Sequence, residues 1–247
     1  MTRRAWRALA GAGLILAAPL VVSPAAAQFQ AQIAWCGNKT HSFSFNVQIG
    51  GCTALIESGK LTGKPLAWAH NNRGVGYKNK GDVDRAFADY DRAIELDPEY
   101  ALAFYNRANA RDDSNDHDRA IADYGAAIRL DPKYADAFVG RCAARAEAGR
   151  DLQPALADCN EALGLRPNDA GAIDTRGFVY LRLGQLDSAI ADYDAALRLN
   201  PRLASALYGR GLAKQKKSDS AGGSTDIAAA KAIQPNIADV FAGYGVK

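Results

Sequence analysis

Four cysteines, Cys36, Cys52, Cys142 and Cys159, and three histidines, His41, His70 and His117, are the side chains best suited to bind a metal or attack a substrate. A zinc site wants CxxC or HxxxH spacing, which puts two ligands within about one turn of chain. None of these seven residues stands in such a pair. Cys-His catalysis would need one cysteine spared from disulfides and held beside a base. The stretch NRGVGYKNKG, residues 72–81, is glycine-rich enough to suggest a phosphate cradle. Apolar spacing, however, places it on a helix and the next turn rather than after a strand. The sequence therefore predicts no catalytic residues, no metal site and no cofactor.

A second set of residues has charge chemistry. Arginine stands at 73, 107, 141, 176 and 210, and aspartate follows each at 89, 123, 158, 192 and 226, an interval of 16 residues that becomes 17 in the third instance. If each interval spans an antiparallel helical hairpin, the two residues lie near one level and form a partly buried ion pair. The alternative is that the arginines line a groove and bind an anion, with the aspartates solvated. Strict fivefold pairing favours the ion-pair ladder.

The setting of the cysteines depends on the first 27 residues. Arg3, Arg4 and Arg7 form a positive start, Leu9 to Val22 is an apolar run, and Ala25-Ala26-Ala27 is a small-residue cleavage pattern before Gln28. This reads as a secretory signal peptide over 1–27, with too short an apolar run for a membrane anchor. Those three arginines are the only charged residues there. Taking them from 30 basic residues leaves 27 against 27 acidic ones, so the processed chain is neutral. It has no electrostatic footprint for nucleic acid or for anionic membrane. Export to a periplasmic or secreted location favours disulfides for the four cysteines.

The elements that must position these residues follow from a repeat. Pro98, Pro132, Pro167, Pro201 and Pro235 recur at intervals of 34, 35, 34 and 34, and AIADYGAAIRLDP (120–132) returns as AIADYDAALRLNP (189–201). Each unit reads as two amphipathic helices. In the first, Ala67–Asn79 is helix A, Gly81-Asp82 a turn and a helix start, Asp84–Leu96 helix B, and Asp97-Pro98 a stop. Small residues fall where the helices must approach, Gly74 with Ala86 and Ala93, Gly177 with Ala189 and Ala196. The extra residue of the third unit lies within Gly149–Pro154, in a turn.

On these residues, the Gly, Tyr, Ala, Tyr, Ala and Pro of NNRGVGYKNKGDVDRAFADYDRAIELDP and of TRGFVYLRLGQLDSAIADYDAALRLNP, the chain resembles the tetratricopeptide repeat family. The resemblance implies an all-α fold, a right-handed α-solenoid of five helix-turn-helix units with helical caps. The units fall at about 67–100, 101–134, 135–169, 170–203 and 204–237. Arg111 and Arg145 depart from the pattern by replacing the helix A tyrosine, and Cys142 and Cys159 replace the Gly and Tyr that face each other across the hairpin. That register pairs Cys142 with Cys159 and leaves Cys36 for Cys52. Residues 28–66 are expected to hold an irregular disulfide-tied segment and a capping helix over Val47–Glu57, and residues 236–247 a C-terminal capping helix.

The family's concave face, lined by helix A, implies a non-catalytic scaffold for a protein or peptide partner, with no nucleic acid and no membrane after signal cleavage. Candidate groove residues are Asn71, Asn72, Lys78, Tyr105, Asn106, Asn109, Asp174, Phe178, Arg182 and Tyr208. Asn and Tyr could bond an extended backbone while Phe gives apolar contact. Two other readings stay open: a redox-responsive adaptor that switches through Cys142 and Cys159, and a ligand-binding or enzymatic unit in the short N-terminal segment.

Overall fold

The computed structural model describes residues 23–38 and 41–246. The described residues form thirteen α-helices and no strand. An N-terminal pair, α1 (Pro24–Gly37) and α2 (Phe45–Glu57), precedes five hairpins. These are α3 (Gly63–Asn79) with α4 (Val83–Leu96), α5 (Ala101–Asp113) with α6 (His117–Leu130), and α7 (Ala135–Glu147) with α8 (Leu152–Leu165). They continue with α9 (Ala170–Arg182) and α10 (Leu186–Leu199), then α11 (Ala204–Lys216) and α12 (Ser220–Ile233), and the short α13 (Ile237–Gly243) follows. None of these helices is long and apolar enough to cross a membrane. The fold is the expected helical solenoid. Of the expected signal peptide, residues 1–22 lie outside the described residues, and Ala25–Ala27 sit in the first turn of α1.

The repeat writes the same turn five times. Gly81, Asn115, Gly149, Gly184 and Ser218 take positive φ at equivalent places, reversing the chain between the two helices of a hairpin. Asp82, Asp116 and Asp219 then accept a backbone N–H three residues on and start the second helix. The inserted residue of the third hairpin is absorbed by a second left-handed residue, Asp151, so both helices keep their register.

Packing within and between hairpins turns on glycine. A Cβ on Gly74 would stand 2.8 Å from the ring of Tyr90, and one on Gly177 3.0 Å from the ring of Tyr193. Tyrosines at this place also press on the following hairpin, Tyr124 against Gly140 and Tyr193, already against Gly177, against Gly209. Tyr193 thus ties two repeats together. In the third hairpin Cys142 and Cys159 take these places and are joined by a disulfide, both fully buried.

The arginine–aspartate columns form the ladder. Arg73, Arg107, Arg141, Arg176 and Arg210 each grip their own hairpin's aspartate through two hydrogen bonds of 2.6–2.9 Å, and all five aspartates are buried. The free end of the guanidinium reaches back one hairpin, Arg107 Nη1 to Asp91 at 2.6 Å, Arg176 to Asn160 at 2.9 Å and Arg210 to Asp194 at 2.7 Å. Other cations join from the same hairpin: Arg111 meets Asp123, Arg145 meets Asp158 and Lys214 meets Asp226. The two arginines that break the tyrosine pattern are therefore second partners of a buried carboxylate. In the first hairpin His70 Nδ1 lies 2.8 Å from Asp89. Burial would push the Asp89 carboxyl up, but the bonds from His70 and Arg73 outweigh it and hold it below the usual range.

The N-terminal cap departs from expectation. Residues 28–37, expected to be irregular, are helical because Ser23 caps and Pro24 opens α1, a start signal hidden inside the expected signal peptide. Cys36–Cys52 joins α1 to α2, and Gln48 Nε2 donates to Asn72 O at 2.9 Å, tying the cap to α3.

Candidate functional site

The stack bends toward its first helices. Each of α3, α5, α7 and α9 touches the first helix of the next hairpin, whereas among the described residues consecutive second helices do not touch. The first helices therefore line the concave side, where the candidate groove residues stand.

Those residues fall into two groups. In the N-terminal half Asn106 Nδ2 donates to Asn71 Oδ1 at 2.9 Å, Tyr124 donates to Asn109 at 2.6 Å, and Lys78 pairs with Asp113 at 2.7 Å. Tyr105 stacks beside Tyr124 and Tyr134, its centroid 5.9 and 4.9 Å from theirs. Asn72 turns back to Trp68 O. Asn71, expected on the surface, is only 1% exposed, because Asn106 lies over it, and its Nδ2 has no partner. Asn106, Tyr105 and Asn109 remain at the partly exposed rim.

The second group, Asp174, Phe178, Arg182 and Tyr208, meets the chain itself. α13 is the expected C-terminal capping helix, but it does not simply cover the end of the fifth unit. It instead crosses three first helices: Phe241 sits 5.5 Å from Phe178 and 4.8 Å from Tyr208, Tyr244 lies 5.7 Å from Phe178 and hydrogen-bonds Glu147, and Arg182 donates to Tyr244 O. Phe178 and Tyr208 are buried as a result. The reason is the short Pro235-Asn236 connection, which sends α13 across the concave side instead of continuing the stack.

Between α13 and helices α7, α9 and α11 lies a cavity of about 200 Å³. Glu147, Asp174 and Ser205 give it polar walls, and Phe178, Phe241 and Tyr244 aromatic ones. Ser205 hydrogen-bonds Asp174. Burial pushes the Asp174 carboxyl up to about 6. Glu147 rises to about 7, from burial and then from the charge of Asp112. Sequence spacing gave no hint of this cavity, because its walls come from residues nearly a hundred positions apart.

The fold also gathers Asp112, His117 and Glu147, whose ligand atoms lie within 4.8 Å of one another and could hold a metal ion. His117, read as scattered and remote from any metal pair, comes here because α6 begins where α5 ends. Each of the three already has a partner, since His117 Nδ1 meets Asp112 Oδ1 at 2.7 Å and Tyr244 bonds Glu147.

Tetratricopeptide repeat family models match residues 67–100, 89–122 and 143–210. Among solved structures, that of YrrB, described as a TPR protein with an unusual peptide-binding site, is 25% identical. The match covers 75% of this chain and 93% of that one, with a TM-score of 0.58. A tetratricopeptide repeat protein from Parabacteroides merdae is 14% identical over 81% of this chain and 77% of its own, with a TM-score of 0.68. MamA is 23% identical over 67% and 96%, at 0.57. At these identities the last two show the fold alone. No curated protein matches the chain.

Proposed function

Because the chain belongs to the tetratricopeptide repeat family, we propose that it is an exported, non-catalytic scaffold that recognises a peptide or protein on its concave side. The observation that carries this reading is α13. A short helix of this chain already lies across three first helices, with Phe241 seated between Phe178 and Tyr208. The surface therefore has the relief to hold a segment by its side chains. Tyr105, Asn106 and Asn109 continue the same face toward the N-terminus and carry the donors, acceptors and ring that an extended segment needs. YrrB, whose description names a peptide-binding site, is a similar stack.

Export is supported by the positive start, apolar run and small residues of the first 27 positions and by two disulfides, which persist in oxidising compartments. Complete burial of Cys142 and Cys159 favours a structural role over a redox switch. A photocrosslinking residue at Tyr105, compared with one at Glu95 on a second helix, tests the reading in cells. Partner adducts are expected from Tyr105 and not from Glu95. Equal or reversed labelling would reject the concave face, and N-terminal sequencing that finds Met1 retained would reject export.

A further inference from the structure

We propose that the cavity beneath α13 is a binding subsite for an alkylammonium group, filled by a lysine side chain of the partner. This deepens the scaffold reading and rests on it for the lysine.

The lining decides the ligand. Two carboxylates, Glu147 and Asp174, face the cavity, and no lysine, arginine or histidine lines it. An anion is excluded by charge, and a wholly apolar guest would leave both carboxylates without a counter-charge. Phe178, Phe241 and Tyr244 line the same cavity, so it offers aromatic walls for methylenes and for a cation. The Ser205 hydroxyl, fixed on Asp174, orients that carboxylate. A volume of about 200 Å³ suits a side chain, being smaller than the roughly 300–1,000 Å³ of pockets for drug-sized ligands. The raised Asp174 carboxyl agrees with this, since burial is what lifts it. Asp112 and His117 stand beside Glu147 but outside the cavity lining, and His117 Nδ1 is already bonded to Asp112.

The test titrates the full chain with butylammonium chloride and, separately, with 1-butanol, following backbone amides of Thr175, Phe178, Ser205 and Tyr244 by NMR. Butylammonium is expected to shift these amides saturably, and Asp174→Asn, which keeps size and Ser205 contact, to weaken it at least tenfold. Butanol should bind more weakly and be indifferent to the substitution. Should α13 loosen in that variant, Glu147→Gln gives the same comparison from the opposite wall. Equal binding of butanol and butylammonium, or no effect of either variant, would overturn the proposal. Nα-acetyl-lysine methylamide should bind at least as well as 1,4-diaminobutane; the reverse order would overturn the lysine assignment and give the cavity to a free amine. The butylammonium titration needs no peptide. Its failure removes the subsite and leaves concave recognition standing, whereas loss of Tyr105 crosslinking with butylammonium binding intact does the converse.

Discussion

Arg176 grips Asp192 through Nε at 2.7 Å and Nη2 at 2.9 Å, and among the described residues no second cation reaches that carboxylate. The other four ladder aspartates each have a further partner, His70, Arg111, Arg145 or Lys214. Removing the lone partner of a buried charge costs about 3 kcal/mol or more. Arg176→Ala should therefore destabilise by that amount, and Arg107→Ala by clearly less, because Arg111 stays on Asp123. Replacing Arg176 and Asp192 together with apolar residues should recover most of the loss. Urea unfolding of the three variants checks the ranking. Equal losses, or losses of a few tenths of a kcal/mol as for surface charges, would remove the ladder from the stability account.

The third rung is missing one bond. Arg107, Arg176 and Arg210 each reach back to Asp91, Asn160 or Asp194, but the equivalent place before Arg141 is Gly125. A Cβ there would lie 3.4 Å from Arg141 Nη1 and 3.7 Å from Arg129 Nη1, ordinary contact with room for a carboxylate to turn toward either. Gly125→Asp should stabilise by about 1 kcal/mol, from better helix propensity and a charged hydrogen bond between hairpins. A melting temperature unchanged or lowered would contradict the inter-hairpin role.

What was legible in the sequence was what the repeat writes several times. Five prolines, the Gly74 and Gly177 positions and the arginine–aspartate spacing gave helices, register, ladder and the Cys142–Cys159 link, because each is a local consequence of one hairpin. What was not legible occurs once. α1 was missed because Ser23-Pro24, its start, lay inside the segment read as a signal peptide, between the apolar run and the small-residue cleavage pattern. The path of α13 was missed because a seven-residue helix carries no period that says which of three neighbours it will cross. The cavity follows from that path, so Glu147 and Asp174 could be placed on the concave side but not brought together. Arg111 and Arg145 looked like departures from a pattern until their shared geometry on Asp123 and Asp158 gave them a role.

Glu147 makes stability fall as pH rises. Its carboxyl stands at about 7 in the fold against an ordinary 4.5, and the groups facing it are Asp112, Asp113, His117 and Tyr244. A carboxyl whose folded value is raised contributes fully below the unfolded value, and that contribution is lost as pH climbs through the folded one. Asp174, at about 6, has the same sign. Asp89 and Asp226, held low by their cations, have the opposite sign and lose their contribution only in acid. Between about pH 5 and 8 the Glu147 share is on the order of 2 kcal/mol. Glu147→Gln should flatten the slope over that window and be the more stable protein at the alkaline end. Parallel curves for the two proteins would show that Glu147 is ionised throughout.

α13 should behave as a separately detachable piece. Phe241 is 4% exposed, and truncating a buried Phe in a core typically costs about 3–5 kcal/mol. Here the loss is capped, because α13 is a seven-residue helix joined to the stack by a short connection and can let go: once undocked, it has nothing further to lose. Phe241→Ala should therefore destabilise no more than ending the chain at Gln234, and both variants should expose Phe178 and Tyr208. Hydrogen exchange tests this directly. In Phe241→Ala the amides of α13 should lose protection while those of α9 and α11 keep theirs, the signature of local rather than global opening. Weakened protection reaching α3 to α8 would mean instead that α13 is part of the cooperative core, and that the concave side cannot be uncovered without unfolding the stack.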